Sequence, residues 1–260
     1  MIIYDEKIKK KLLDYYMVYY RNLGIPGFER NAYARLNEDE WELRRIKKME
    51  RSLSWKIKNY QCHLIIGLGT GGLAVALQEI GISDIYGIEP YKPALELARL
   101  KGTLMGLPDS SFIEAVAENL PYSNNYFDFI HCFSVLEHVQ NVRKAIKEMY
   151  RVTKSDGVIY IHTPNYLWPY EGHYKVPAPT FLPFAKVLTT LWLKILGRPT
   201  EYLSSINFYS TRKLNKILKN ELSIFCRVYS VENRKRQFPT GDTIKSSKVR
   251  TLRLRSFPAT

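Results

Sequence analysis

Four glycines inside one short turn limit what this chain can fold into. The apolar run Leu64-Ile65-Ile66 leads into Gly67-Leu68-Gly69-Thr70-Gly71-Gly72, and an apolar helical pattern follows at Leu73, Val75, Ala76, Leu77 and Ile80. That is a strand, a tight turn and a helix start. Glycine is needed where the backbone bends sharply and approaches a ligand with no Cβ in the way. About twenty residues on, Ile85-Tyr86-Gly87-Ile88-Glu89 reads as a second strand ending in an acid. Glycines at the first turn and a carboxylate after the second strand are the layout of a site for an adenosine-containing cofactor. Gly67, Gly69 and Gly72 fit the GxGxxG dinucleotide spacing, whereas Gly67, Gly69 and Gly71 fit a GxGxG spacing. The turn alone leaves both open.

The chain around the turn alternates strand and helix: Cys62–Gly67, Leu73–Ile80, Ile85–Glu89, Lys92–Lys101, then Ser111–Val116. Pro93 falls in the first turn of its helix, where its missing N–H costs nothing. Such alternation predicts an α/β fold, a doubly wound and mostly parallel sheet with helices on both faces. Ligands then bind at the carboxyl ends of the strands. Ahead of the sheet, residues 1–60 read as a helical extension. Ile8, Leu12, Leu13, Tyr16, Tyr19 and Tyr20 recur at helical spacing, Gly24-Ile25-Pro26-Gly27 breaks the pattern, and a second helix is expected from about Glu38 to Asn59. Its Trp41, Leu43, Ile46, Met49, Leu53 and Trp55 read as packing against the sheet.

Further motifs follow in order: Ala117-Glu118-x-Leu120-Pro121-Tyr122, Tyr126-Phe127-Asp128, Ser134-Val135-Leu136-Glu137-His138-Val139, then Arg143–Lys154 leading into Gly157-Val158-Ile159-Tyr160-Ile161. With the glycine turn they resemble the class I S-adenosylmethionine-dependent methyltransferases, in particular the ubiquinone/menaquinone-biosynthesis-like, type 11 group. The resemblance covers roughly 62–163, with a weaker match at 206–218. It implies a Rossmann-like sheet of order 3-2-1-4-5-7-6 with strand 7 antiparallel. Residues 61–260 would form the methyltransferase domain, with an aromatic and proline-rich insertion at about 164–205. It also implies S-adenosylmethionine as cofactor, held by Gly67, Gly69, Gly71, Glu89, Pro90, Ala117, Glu118, Phe133 and Ser134. Two positions depart from the family pattern: Ile65 stands where an acid usually precedes the first glycine, and Val116 where an Asp often contacts adenine. An inactive or weakly active binding protein, and a nicotinamide-dependent oxidoreductase, are the alternatives carried forward.

Methyl transfer from a sulfonium is an in-line displacement, so the protein must hold the acceptor in line and exclude water. A hydroxyl acceptor also benefits from a base. His138, just after the fourth strand, is one candidate. Glu171 and His173 are the others, in the run His162-Thr163-Pro164-Asn165 to Tyr174-Lys175-Val176-Pro177 that follows the fifth strand. Some quinone O-methyltransferases carry a Glu-His pair resembling a divalent-metal site, as Glu137-His138 does here, but two adjacent ligands are too few to assign a metal. The expected acceptor is a small molecule or a lipid- or sugar-linked group, methylated at oxygen.

The net charge of +14 is uneven, and that bears on partners. Residues 1–60 hold 14 Lys and Arg against 9 Asp and Glu, and residues 231–260 hold 8 against 2, so the excess sits at the ends. Basic ends attract phosphate, but no nucleic-acid-binding module is visible, and no specific nucleic acid is expected. The apolar stretch 181–196 contains Pro183, Lys186 and Lys194, too short and charged to span a bilayer. With the basic ends it suggests peripheral membrane contact, set against ordinary helix packing. Three scattered cysteines and no evident signal peptide lead to the expectation of a cytoplasmic protein with inert thiols. Oligomeric state is left open. The tail is read as strand six over Leu222–Tyr229, a polar loop over Val231–Lys248 and strand seven over Val249–Leu254.

Overall fold

The apolar runs flanking the glycine turn become the middle of a sheet. The computed structural model describes residues 4–53 and 56–222, and the strand backbones at 226–232, 236–237, 243–244 and 248–254. In chain order the strands are β1 (Cys62–Ile66), β2 (Asp84–Ile88), β3 (Phe112–Ile113), β4 (Phe127–Phe133), β5 (Thr153–His162), β6 (Tyr170–Glu171), β7 (Val176–Pro177), β8 (Cys226–Glu232), β9 (Arg236–Gln237), β10 (Thr243–Ile244) and β11 (Lys248–Leu254). The helices are α1 (Glu6–Asn22), α2 (Phe28–Ala34), α3 (Glu38–Leu53), α4 (Gly72–Glu79), α5 (Lys92–Leu104), α6 (Val142–Val152), α7 (Ala185–Ile195) and α8 (Thr211–Leu222).

The main sheet runs β3-β2-β1-β4-β5-β11-β8. Its first five strands are parallel, and β11 is antiparallel to both β5 and β8. This is the expected order 3-2-1-4-5-7-6. β1 is buried along its whole length, as a strand covered on both faces must be. One apolar core joins β1 and β4 to α6 and α8, and a second joins the opposite face to α4, α5 and the N-terminal helices.

Three local expectations change. β3 shrinks to Phe112–Ile113, because Ala115 to Asn119 turns back on itself through a Val116–Asn119 bridge. α3 stops at Leu53; Trp55 lies outside the described residues. The polar stretch Val231–Lys248 contains the short antiparallel pair β9 and β10.

The N-terminal helices are fastened to the glycine turn by buried charge. Lys101 of α5 is fully buried, with Nζ 2.7 Å from Glu38 Oε1 and 3.1 Å from Asp39 Oδ1. Thr70, in the turn, donates to Glu38 Oε1 at 2.5 Å, and Tyr16 of α1 donates to Glu38 Oε2 at 2.5 Å. A Cβ on Gly72 would come 2.9 Å from Glu38 Cγ, so the turn and α3 are in direct contact. Burial works to raise the Glu38 pKa, but Lys101 and Arg35 outweigh it and hold it down to about 2.

Candidate active site

The carboxyl ends of β1, β2, β4 and β5 open into one cavity of about 2180 Å³, roofed by α1–α3 and by the segment after β5. A single drug-sized ligand usually occupies 300–1,000 Å³, so there is room for a cofactor and a second molecule. At one end Gly69 has φ 58°, and a Cβ added there would meet nothing within 4 Å. Its backbone therefore lies open to a ligand. Gly69 N–H donates to Glu89 Oε2 at 2.8 Å, and Tyr91 N–H donates to Glu89 Oε1 at 3.0 Å. Burial raises the Glu89 pKa, while these two amides pull it back. A carboxylate has about four acceptor positions, so two remain for hydroxyls such as those of a ribose.

The structure brings Gly67, Gly69, Glu89, Pro90, Phe133, Ser134, His138 and His173 to this cavity. It does not bring the other expected contacts to the wall. Gly71 is the left-handed cap of α4 and packs against Ala98. Ala117 belongs to the core under β1 and β4. Glu118 is turned away, accepting from the Gln140 and Asn141 amides at the start of α6. Ser134 sits at φ 54°, an uncommon conformation for a serine, with its N–H donating to His162 O at the end of β5.

Where Ile65 lacks the family's acid, α3 supplies polar groups instead. Glu42 and Arg45 face the cavity beside Ile65 and are 3.0 Å apart, and Arg45 Cζ lies 4.5 Å from the centre of the Phe133 ring. Trp41, expected in the core, is part of the cavity wall and more than a third exposed. In sequence these residues look like an ordinary charged helix face; the missing acid at position 65 was the one feature that pointed beyond β1.

At the other end stands a polar chain. Glu171 is fully buried on β6; its Oε1 lies 2.7 Å from His173 Nδ1, and its Oε2 accepts from Tyr174 N–H at 2.7 Å. His173 Nε2 is 3.2 Å from His138 Nε2. Burial works to lower the His173 pKa, but the hydrogen bond and charge of Glu171, with Glu137 behind, raise it above 6.5. Burial lowers His138 to about 4. When the pair takes up a proton, His173 is the ring that holds it, with Nδ1–H donating to Glu171 and Nε2–H donating to His138. Glu137 is also fully buried, its pKa pushed up by burial to about 7, with Oε2 accepting from Thr163. Donor atoms of Glu137, His138 and His173 all lie within 4.8 Å of one another. The sequence placed His138 and His173 35 residues apart; the β6–β7 hairpin closes the gap.

With this geometry in view, the model of the family described as "Methyltransferase domain" matches residues 64–161, β1 through β5. Residues 64–161 are a methyltransferase domain. The chain is 33% identical over 110 residues to an uncharacterized methyltransferase of Bacillus subtilis, covering 40% of this chain and 43% of that protein. It is 29% identical over 137 residues to a ubiquinone biosynthesis O-methyltransferase of Neisseria meningitidis, covering 51% of this chain and 56% of that one. The chain thus spans about half the length of these curated relatives. Among solved structures, a putative S-adenosyl-L-methionine-dependent methyltransferase from Methanococcus maripaludis has the same fold, with a TM-score of 0.55 at 16% identity, covering 100% of this chain and 99% of that one. The fold and the domain are those of class I S-adenosylmethionine-dependent methyltransferases, and S-adenosylmethionine is the cofactor they point to. The open backbone at Gly69 and the spare acceptor positions of Glu89 fit its ribose, and Glu42 with Arg45 offers charges complementary to its amino-acid end.

Proposed function

We propose that this chain transfers a methyl group from S-adenosylmethionine to a hydroxyl oxygen of a small-molecule or lipid- or sugar-linked acceptor. The observation that carries the choice of oxygen is the Glu171–His173–His138 chain at the end of the cavity away from Glu89. The bound cofactor supplies an electrophilic methyl on a sulfonium. The protein orients the acceptor between the aromatic walls of Trp168, Tyr170 and Tyr202, and the imidazole pair receives the hydroxyl proton as the oxygen becomes nucleophilic. Glu171, buried and fixed by the Tyr174 amide, stabilises the resulting imidazolium, as a carboxylate does behind a catalytic histidine. The ubiquinone biosynthesis O-methyltransferase among the relatives supports the same atom.

The test is methyl transfer from labelled cofactor to quinone, glycan and lipid extracts, with the product atom identified by mass spectrometry. Glu171→Gln should lower kcat on the order of ten- to a hundred-fold while leaving S-adenosylhomocysteine affinity unchanged. Wild-type activity should rise with pH through the elevated pKa of His173. The variant's rise should move to lower pH, because the group that raises that pKa is gone. Methylation at carbon or nitrogen, or an unmoved pH limb, would count against the assignment.

A second use of the same end of the cavity is favoured by the convergence of Glu137, His138 and His173. They would hold a divalent ion, with Glu171 orienting His173 from behind. The histidine lone pairs would then be committed to the ion and unable to act as bases. Titration with zinc or manganese separates the two: saturable binding that is lost in Glu137→Gln identifies an ion site, and its absence leaves the imidazole pair as the base.

A further inference from the structure

Helix α7 is built with its apolar side facing out. Phe184 is 82% exposed, Ile195 75%, Val187 58% and Leu191 52%. These positions recur at helical spacing and form one continuous stripe. The opposite side, which packs on the protein, carries the fully buried Leu193 and also Thr189, whose hydroxyl is buried without a partner. Leu193 belongs to a small core with Tyr174, Val176 and Leu203, and Trp192 Nε1 donates to Pro177 O at 2.7 Å, so the helix is firmly seated in this orientation. Phe181 and Leu182, just before α7, and Leu167 and Trp168, after β5, are exposed as well. Phe184 caps the helix at φ 57°, a conformation that costs an L residue about 1 kcal/mol, and with most of the ring exposed little packing offsets that cost.

The segment that carries this face has charge of one sign: no Asp or Glu occurs between Glu171 and Glu201, while Lys186 and Lys194 lie on α7 itself and Arg198 follows it. A continuous exposed apolar stripe is the kind of surface that marks an interaction site, and an apolar stripe flanked by cations is how a helix lies in an anionic lipid interface. Among the described residues no helix is long and apolar enough to cross a membrane.

We infer that the exposed face of α7, with Leu167 and Trp168 beside it, docks on an anionic lipid bilayer. The occupant is lipid rather than a second copy, because a like-charged copy would bring these cations against each other. Trp168 belongs both to this face and to the cavity wall, so docking sets the mouth of the cavity at the headgroups. The inference stands apart from the choice of oxygen, since vesicle binding is read without cofactor or turnover.

The test is flotation of the full chain with phosphatidylcholine vesicles, with and without phosphatidylglycerol. Wild type should float with the anionic vesicles and far less with the neutral ones, and added salt should weaken the binding. Val187→Glu with Ile195→Glu should reduce the bound fraction by about ten-fold or more, since each loses the burial of a large apolar side chain. Both positions are exposed and outside the cavity, so the variant should bind S-adenosylhomocysteine as wild type does, which shows that it is folded. Three outcomes would overturn the inference: no flotation with either vesicle; equal flotation of wild type and variant; or a lipid-free dimer, seen by sedimentation velocity, that the variant abolishes.

Discussion

Replacing Lys101 by methionine tests whether the N-terminal helices are part of the catalytic domain or an appendage. Lys101 Nζ is buried between Glu38 and Asp39, and the substitution leaves two carboxylates facing each other without their cation. From the ordinary 4.5, Glu38 is held down to about 2; at 1.36 kcal/mol per unit, that depression represents about 3 kcal/mol. Removing one partner of a buried pair costs about 3–5 kcal/mol, so Lys101→Met should lose that much in urea unfolding at neutral pH. The pH dependence has a definite sign. Because the folded pKa of Glu38 is depressed, its contribution is present above pH 4.5 and is lost as pH falls toward 2. The gap between wild type and variant should therefore close over that window. Adding Glu38→Gln to Lys101→Met should restore part of the loss, since the closer unpaired carboxylate is gone. A loss below about 1 kcal/mol, of the order of an exposed ion pair, would refute the account of a buried clamp.

Two further outcomes follow from the sheet and the turn. His63 and His131 touch through ring nitrogens 3.0 Å apart inside the sheet, and burial lowers His63 to about 4 and His131 well below its ordinary value. The unfolded chain takes up these protons first, so stability should fall as pH drops from 6.5 toward 4, by about 3 kcal/mol for His63 alone; an unchanged acid slope in His63→Gln would contradict this. Gly69→Ala forces a side chain into a left-handed conformation and puts a methyl in the cavity, so calorimetry should show S-adenosylhomocysteine affinity weakened about ten-fold or more. Unchanged affinity would mean that the turn does not face the cofactor.

The sheet was legible because its strands are buried on both faces: Leu64-Ile65-Ile66 and Val158-Ile159-Tyr160-Ile161 read as continuous apolar runs, which few other elements produce. The strand order came from resemblance, since spacing alone cannot decide which strands neighbour. α2 was missed because the turn residues Gly24 to Gly27 hide a short helix behind them. The places of Gly67, Gly69 and Glu89 on the cavity wall were legible, because they follow from local backbone geometry. Glu42 and Arg45 were not, because charges on a helix look solvated until another element closes over them. His138 and His173 were each named as candidates, but their contact depends on a hairpin whose pairing no short-range pattern specifies. The apolar stretch that carries α7 was visible in the sequence, yet composition cannot tell a face turned inward from one turned outward.

The most direct test of the account is calorimetric titration of the wild-type chain with S-adenosylhomocysteine and with NADH, repeated for Glu89→Ala and Glu171→Ala. Heat should appear with S-adenosylhomocysteine and not with NADH. Glu89→Ala should weaken that binding on the order of a hundred-fold, through the loss of two charge-assisted hydrogen bonds, and Glu171→Ala should leave it nearly unchanged. Heat with NADH alone, or equal losses in the two variants, would contradict both the cofactor and its placement over the glycine turn.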